Sequence, residues 1–189
     1  PMAPADIKRI AMEAQATALL SLQHEDCLAY WDIDYPSLRR QGEALGLQLA
    51  RCPMRDFDIL DQGRRLPQAV MALVALQRAG HRCYVHCTAG LGRAPLTVWA
   101  YLAWAGGASL ETAIQRVRIG RPAAVPAGEA LHEAQRHLLA TQHKAIERRA
   151  YILYRKRRQT NAAGNAAGDW ARAAREILRE YLVSGAERL

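Results

Sequence analysis

Val85-His86-Cys87-Thr88-Ala89-Gly90-Leu91-Gly92-Arg93-Ala94-Pro95 is a glycine-rich stretch between two apolar segments. The segment before it, 83–86, predicts a buried β-strand, and the segment after it, 96–102, predicts a helix. A strand that runs through a tight loop into a helix is the repeating unit of α/β folds. We therefore expect an α/β fold with a central, mostly parallel sheet flanked by helices.

This loop can bind phosphate, because it places small residues at the N-terminus of the predicted helix. The backbone N–H groups of such a loop point inward, and together with the helix dipole they favour a bound anion. Glycines permit the tight curvature that the loop requires. The predicted phosphate-binding residues are Thr88, Ala89, Gly90, Leu91, Gly92 and Arg93.

Cys87 and Arg93 are the predicted reactive pair of this loop. A helix N-terminus and a neighbouring arginine both favour the thiolate of a cysteine, which is the attacking form. The planar guanidinium of Arg93 can hold two phosphate oxygens. We interpret His86 as a support of the loop rather than as a base. The alternative is a buried cysteine in a glycine-rich turn with a surface arginine.

A cysteine phosphatase also needs an acid that protonates the leaving oxygen and later activates water. Asp56 is the best candidate, because it follows the strand-like segment 47–53 and a strand end can bring a loop to the phosphate. Asp58 and Asp61 lie nearby and compete for this role. We predict that Asp56 is the general acid.

Together with Asp56 and the stretch 29–34, Ala-Tyr-Trp-Asp-Ile-Asp, the loop resembles the dual-specificity phosphatase superfamily. Within it the closest resemblance is to the plant and algal glucan phosphatases of the starch-excess-four and like-starch-excess-four type, with laforin more distant. The similarity covers roughly residues 5–140. The resemblance implies the cysteine-phosphatase fold. It also implies a phosphoric monoester hydrolase that acts on phosphorylated glucan and forms a phosphocysteine intermediate.

Three differences from related phosphatases bear on the substrate that the resemblance implies. Protein tyrosine phosphatases usually carry Ser or Thr after the arginine, whereas this chain has Ala94-Pro95, as the plant glucan group does. Phosphoinositide phosphatases commonly place Lys or Arg inside the loop, which is uncharged here before Arg93. After Arg121-Pro122, however, this chain lacks the residues that the plant enzymes place near the cleft, so we expect a glucan contact there to be poor.

Aromatic side chains near the predicted site suit a sugar substrate, because the flat C–H faces of sugar rings pack on aromatic rings. We predict that Tyr30, Trp31 and Phe57 contact glucan. The alternatives are that Phe57 fills the core and that Tyr30 and Trp31 hold a helix start. For Trp99 and Trp104 we expect core packing.

Three other functions stay open on this sequence. A dual-specificity protein phosphatase and a lipid phosphatase would use the same loop on other substrates. An inactive glucan-binding scaffold would use the aromatic residues alone. The complete set of Cys87, Arg93 and Asp56 argues against the scaffold.

The cysteines predict that the protein works in a reducing compartment. We expect no metal and no cofactor. The four cysteines, at 27, 52, 83 and 87, lack both metal-ligand and disulfide-framework spacing. Cys87 must stay reduced to react, and we expect the other three to be small core residues, any of which could form a protective disulfide with Cys87. No apolar run is long enough to span a membrane. The resemblance implies a plastid, although this sequence carries no targeting peptide.

The predicted helices cover 6–15, 36–45, 65–79 and 127–139, with another starting at Ser109, and a further strand covers 18–22. We place the catalytic domain at 1–140. The superfamily has a strand before the first helix, and we expect that strand to be lost or cut off here.

Residues 141–189 form the second predicted unit, a basic helical extension. They hold 11 Lys and Arg against 5 Asp and Glu, and thus six of the eight net positive charges. Nucleic-acid or membrane-surface binding would fit the basic segment 148–158, but a solvated helix face is commoner, and we expect no nucleic-acid partner.

After the predicted linker 161–168, Asp169 is predicted to cap a last helix. That helix carries an apolar stripe, formed by Trp170, Ala174, Ile177, Leu178, Tyr181 and Leu182. We expect the stripe to pack on the catalytic domain of a monomer, with dimerisation through the same stripe as the alternative.

Overall fold

The structure is a computed structural model that describes residues 4–189. Its centre is a three-stranded parallel sheet with the strand order β2-β1-β3. The strands are β1 (Ala18–Gln23), β2 (Gln48–Met54) and β3 (Cys83–His86). The predicted α/β fold with a parallel sheet is confirmed.

Nine helices accompany the sheet within the described residues. They are α1 (Pro4–Met12), α2 (Glu25–Tyr30), α3 (Tyr35–Ala44), α4 (Ile59–Arg78), α5 (Arg93–Trp104), α6 (Leu110–Gly120), α7 (Gly128–Thr141), α8 (His143–Gln159) and α9 (Ala166–Ala186). The prediction that a first strand is lost or cut off concerns the chain before α1, which lies outside the described residues.

The parallel sheet brings the functional loops together. Its three strands point the same way, so their carboxyl ends lie along one edge, where ligands of open α/β sheets usually bind. β1 leads there into α2, β2 leads into the loop that carries Asp56, and β3 leads into the loop that begins at Cys87. Chemistry-bearing residues from three distant parts of the sequence therefore meet at this edge.

The main core lies between the sheet and α4 through α7. Leu20 and Leu22 point into it from β1, and both are fully buried. Trp99 and Trp104 are buried as well, which confirms the expected core packing. Each indole N–H finds a partner, the carbonyl of Leu110 at 2.9 Å for Trp99 and the side-chain oxygen of Gln135 at 2.8 Å for Trp104.

Several predicted helix bounds were wrong. α1 ends at Met12 rather than near residue 15, and Gln15 has a left-handed φ of 50° that no helix continues through. α4 begins at Ile59 rather than at 65, because the carboxylate of Asp58 accepts the N–H of Asp61 and caps the helix there. α2 was not predicted at all.

α9 packs back on the rest of the chain. Leu178 and Leu182 belong to the main core, and Gly185 lies against Met71 of α4. A smaller cluster, centred on Ile146, joins α9 to α8. Ile177, Leu178 and Leu182 of the apolar stripe are thus buried inside one chain, whereas Trp170 is exposed. The division at residue 140 stays a prediction.

The predicted cap of the last helix was wrong. The helix begins at Ala166, and Asn165 is the cap, since its side-chain oxygen accepts the N–H of Gly168 at 2.8 Å. Asp169 instead accepts two hydrogen bonds of 3.0 Å from the guanidinium of Arg157. A long-range ion pair therefore takes the carboxylate that local sequence assigned to a cap.

Candidate active site

The loop 87–92 connects β3 to α5, as the sequence predicts. Gly92 is the cap residue of α5 and has no side chain that could occupy the first-turn N–H groups. Gly90 has a φ of 70°, which is left-handed and favours glycine. Cys87 is buried at the start of this loop. The geometry leaves backbone N–H groups at a helix N-terminus available to an anion.

The side chain of Arg93 organises the site. It is 1% exposed and carries hydrogen bonds on both terminal nitrogens. Nη1 donates to the Met54 carbonyl at 2.9 Å, and Nη2 donates to Asp56 Oδ2 at 2.6 Å and to Thr88 Oγ1 at 3.0 Å. These contacts tie the end of β2, the acid loop and the phosphate loop to one guanidinium.

Asp56 is set apart from the other two acid candidates by its contact with Arg93. Asp58 caps α4, and Asp61 accepts the N–H of Arg55 at 2.8 Å. Both of these carboxylates hold the local backbone of the loop. Asp56 is 36% exposed, so that it can be reached from solvent while it touches the buried guanidinium. The role of Asp56 as the general acid stays a prediction.

His86 lies beneath the loop. Its Nδ1 donates to the Cys87 carbonyl at 3.3 Å, and its Nε2 is buried without a partner among the described residues. Burial lowers the pKa of His86 to about 4, and the nearby charge of Arg93 adds to the effect. The imidazole is therefore neutral near pH 7 and contacts the backbone of Cys87, while its role as a support of the loop rather than a base stays a prediction.

The three predicted glucan-contact residues are all exposed. The rings of Tyr30 and Trp31 form an edge-to-face pair with centroids 5.1 Å apart. Phe57 follows Asp56 directly and is 95% exposed, so it does not fill the core. Its φ of 58° is unusual for a bulky residue, and such strain clusters at functional sites. The ring of Phe57 is thus presented to solvent beside the acid.

Cys27 was wrongly expected in the core. It lies on α2, and Arg93 Nη1 donates to its sulfur at 3.3 Å. Cys52 and Cys83 do pack in or against the main core, and burial raises the pKa of Cys52 to about 11 and also raises that of Cys83. All four cysteines are free, and the protective disulfide with Cys87 stays a prediction.

α2 connects the aromatic pair to the reactive centre. The Trp31 N–H donates to the Cys27 carbonyl at 3.2 Å, so Tyr30 and Trp31 lie one helical turn from the residue that touches Arg93. The structure therefore brings Tyr30 and Trp31 within one helical turn of a residue that touches Arg93, although their side-chain contact with a substrate stays a prediction.

Sequence reasoning missed parts of the site that depend on backbone atoms or on distant segments. The Met54 carbonyl carries no side-chain signal. Arg121 Nη2 donates to the Ala89 carbonyl at 3.3 Å, and the Val125 N–H donates to the Leu91 carbonyl at 2.8 Å. In the sequence, the residues after Arg121-Pro122 differ from the plant enzymes, and the pair itself carries no separate signal. It marks the segment that supports the phosphate loop from the α6 side.

A cavity of about 680 Å³ adjoins the phosphate loop on the side of α1 and α6. Cys87, Thr88 and Gly90 line one of its walls, and Arg116 and Arg121 line another. Within residues 4–189, no cluster of three His, Cys, Asp or Glu side chains could hold a metal ion.

Comparison with known proteins places this geometry in a family. Residues 32–137, more than half of the chain, match the family model described as the dual specificity phosphatase catalytic domain. Over 109 residues the chain is 38% identical to a phosphoglucan phosphatase, DSP4, amyloplastic, of Castanea sativa, covering 57% of this chain and 29% of that protein.

Two further relatives agree. The chain is 32% identical over 108 residues to the phosphoglucan phosphatase LSF1, chloroplastic, of Arabidopsis thaliana, which covers 57% of this chain and 18% of that protein. It is 30% identical over 141 residues to laforin of Mus musculus, with 67% and 41% covered. The chain spans less than half the length of each of these relatives.

Solved structures show the same fold. The active form of Tk-PTP superposes with a TM-score of 0.58 at 24% identity, covering 72% of this chain and 86% of that chain. Human DUSP28 superposes with a TM-score of 0.54 at 26% identity, covering 74% and 84%. With the fold, the loop and the family model in agreement, the chain belongs to the dual-specificity phosphatase family.

Proposed function

We propose that this protein is a cysteine-dependent phosphatase that hydrolyses phosphate monoesters on glucan through a phosphocysteine intermediate. The observation that carries the proposal is the contact of Arg93 with Asp56 at the mouth of the Cys87 loop, with the exposed ring of Phe57 beside it. The contact between Arg93 and Asp56 supports the phosphatase reaction, and the exposed Phe57 ring supports a sugar substrate.

In the first step, the Cys87 thiolate attacks phosphorus and the bond to the glucan oxygen breaks. Arg93 and the loop N–H groups stabilise the negative charge on the three other phosphate oxygens. Asp56 gives a proton to the departing glucan oxygen, which leaves as a hydroxyl. The products are free glucan and phosphocysteine.

In the second step, water attacks the phosphocysteine while the Asp56 carboxylate accepts its proton. The S–P bond breaks, and inorganic phosphate and the Cys87 thiolate leave. Ala94 offers no hydroxyl to that thiolate. The hydroxyl of Thr97, one turn further, donates instead to the Arg93 carbonyl at 3.0 Å. The loop N–H groups and the helix dipole therefore stabilise the thiolate.

Phosphate must take the place of Asp56 on Nη2 of Arg93. Nη2 of the guanidinium donates to Asp56 and Thr88, and Nη1 donates to the Met54 carbonyl and to the Cys27 sulfur. The buried Nε has no partner among the described residues, so a phosphate can accept from Nε at once but must displace Asp56 to accept from Nη2 as well. A phosphate that accepts from Arg93 frees the Asp56 carboxylate, which takes up a proton from solvent and then lies beside the leaving oxygen as the carboxylic acid. The resting ion pair thus keeps the acid next to the position where it acts.

The aromatic residues supply the argument for glucan. Sugar rings pack on exposed aromatic faces, and Tyr30, Trp31 and Phe57 present such faces close to Arg93. The two plant relatives named phosphoglucan phosphatase support the same substrate class. Their names also support a plastid as the site of action. A monomer is the proposed state, because Ile177, Leu178 and Leu182 of the α9 stripe are buried within the chain.

The test compares phosphate release from phosphorylated glucan, a phosphotyrosine peptide and a phosphoinositide. The wild type should release phosphate fastest from glucan, and Cys87→Ser should release none from any substrate. Phe57→Ala and Trp31→Ala should each lower kcat/KM on glucan about fivefold, the size of an aromatic contact, and leave p-nitrophenyl phosphate turnover unchanged.

Trp170→Ala is the matched control, since that exposed tryptophan lies on α9 and should alter neither activity. Equal loss on all substrates in the Phe57 and Trp31 variants would show that these rings do not recognise glucan. Faster turnover of the peptide or the lipid would instead favour a protein or lipid phosphatase. Wild type that turns over no p-nitrophenyl phosphate would indicate an inactive scaffold.

A further inference from the structure

α8 presents a cationic stripe to solvent. Lys144, Arg148, Tyr151, Arg155 and Arg158 follow one another at intervals of four and three residues. At 3.6 residues per turn they lie within about 80° of one another around the helix. All five are exposed, and we call them the outer face of α8.

The helix separates its paired cations from its unpaired ones. Arg149 binds Glu176 and Glu180 at 2.9 Å, and Arg157 binds Asp169 at 3.0 Å, so these two are neutralised by α9. By contrast, the cations of the outer face and the adjacent Lys156 make no ion pair with a carboxylate of residues 4–189. Glu147 is the one acid of α8. The outward charge of this helix is therefore left for a partner.

Apolar side chains stand among these charges. Tyr151 is 61% exposed and Ile152 is 60% exposed, although α8 already packs on α9 through its other face. The ring of Tyr154 stacks on that of Tyr151 with centroids 6.4 Å apart. A helix face that only needed to be solvated would gain nothing from an exposed isoleucine beside a tyrosine pair.

We propose that the outer face of α8 binds an anionic lipid surface. Basic side chains attract anionic headgroups, tyrosine settles at the headgroup level, and an aliphatic side chain gains from entering the acyl boundary. Nucleic acid would use the cations and the rings but offers no comparable gain to Ile152. No helix in the described part of the chain is long and apolar enough to cross a membrane, so this contact lies at the surface.

The contribution of these side chains to lipid binding is large enough to measure. Each cation near an anionic surface tightens binding about fivefold, so removing three should weaken it about 100-fold. Screening by salt acts over about 10 Å at 0.1 M, and binding should therefore fall steeply between 0.1 and 0.5 M NaCl. Burial of one aliphatic side chain and one ring edge adds about tenfold.

The experiment is vesicle flotation of the full chain with phosphatidylcholine alone and with 30% phosphatidylserine added. We expect binding only to the mixed vesicles. The triple variant Arg148→Gln, Arg155→Gln, Arg158→Gln should lose it. The control triple Arg40→Gln, Arg64→Gln, Arg118→Gln removes the same charge from exposed positions elsewhere and should keep it.

A double variant, Tyr151→Ser with Ile152→Ser, separates lipid from other polyanions. It should lose about tenfold in vesicle binding and nothing in binding to heparin, a polyanion that has no bases to stack on the Tyr151 ring. No binding to mixed vesicles, equal binding to neutral ones, or equal loss in both triple variants would overturn the proposal. So would a double variant that binds vesicles as the wild type does. All variants should keep p-nitrophenyl phosphate turnover, which makes the result independent of the proposed reaction.

Discussion

Asp56→Asn should make inorganic phosphate bind more tightly while it slows turnover. In the resting site, the Asp56 carboxylate occupies Arg93 at 2.6 Å, and a phosphate must displace it. Breaking a buried ion pair costs about 3–5 kcal/mol, whereas an exposed pair contributes about 0–1 kcal/mol. With Arg93 1% exposed and Asp56 36% exposed, we expect an intermediate cost of about 1–2 kcal/mol.

This cost has two measurable consequences. Without phosphate, the asparagine variant should unfold at lower denaturant, because Arg93 loses its charged partner. With phosphate, the Kd should fall about tenfold relative to wild type, since about 1.4 kcal/mol corresponds to a factor of ten. At a phosphate concentration of about 100 times Kd, binding adds about 2.7 kcal/mol and should offset the loss of stability.

Titration calorimetry gives the phosphate affinity, and urea unfolding with and without phosphate gives the stability. Glu129→Gln removes the same charge from an exposed position on α7 and should alter neither quantity. If the asparagine variant binds phosphate no more tightly than wild type, then Asp56 does not compete for Arg93 and the described resting state is wrong.

Two further outcomes test the fold around the site. His86→Asn should remove part of the destabilisation that acid causes. The pKa of His86 is about 4 in the folded protein against about 6.5 unfolded, so the wild type should lose up to about 3 kcal/mol of unfolding free energy as the pH falls from 6.5 to 4. Urea unfolding should show no such loss in the variant, whereas the control His137→Asn, at an exposed position, should behave as the wild type does. Gly185→Leu should lower the unfolding free energy by about 1–3 kcal/mol, because even a Cβ there would lie 2.5 Å from the Met71 sulfur. The control Ala171→Leu, on the exposed side of α9, should change the unfolding free energy by less than about 0.5 kcal/mol. Unchanged pH dependence in the first variant, or unchanged stability in the second, would contradict the contacts described here.

The strand, the phosphate loop and the following helix could be predicted because their signals are local. Apolar runs, two glycines and the Cys87 to Arg93 spacing all lie within about twenty residues. The same holds for the core tryptophans on α5, which lie in a helix whose residues are mostly apolar and buried. The strand-like segment 47–53 pointed to Asp56, which the structure places beside Arg93. Family resemblance pointed to the aromatic pair, which lies within one turn of a residue that touches Arg93.

Contacts between distant segments could not be predicted in this way. Cys27 looked like a small core residue, yet it lies 66 positions from Arg93 and touches its guanidinium. Asp169 has every local feature of a cap, but an ion pair with Arg157 takes its carboxylate. In both cases the partner is chosen by how elements pack, and packing depends on surfaces that no short window of sequence contains.

Residue types and their spacing along the chain were sufficient for the α/β class and for the strand, loop and helix that carry Cys87 and Arg93. The reactive roles of these two residues stay predictions. Packing in three dimensions was needed to show that Arg93 is occupied at rest, and which of three nearby aspartates occupies it. The same applies to α8, whose cations look alike in sequence. α9 neutralises Arg149 and Arg157 and leaves the outer face charged, because an ion pair forms only where a folded neighbour brings a carboxylate within reach.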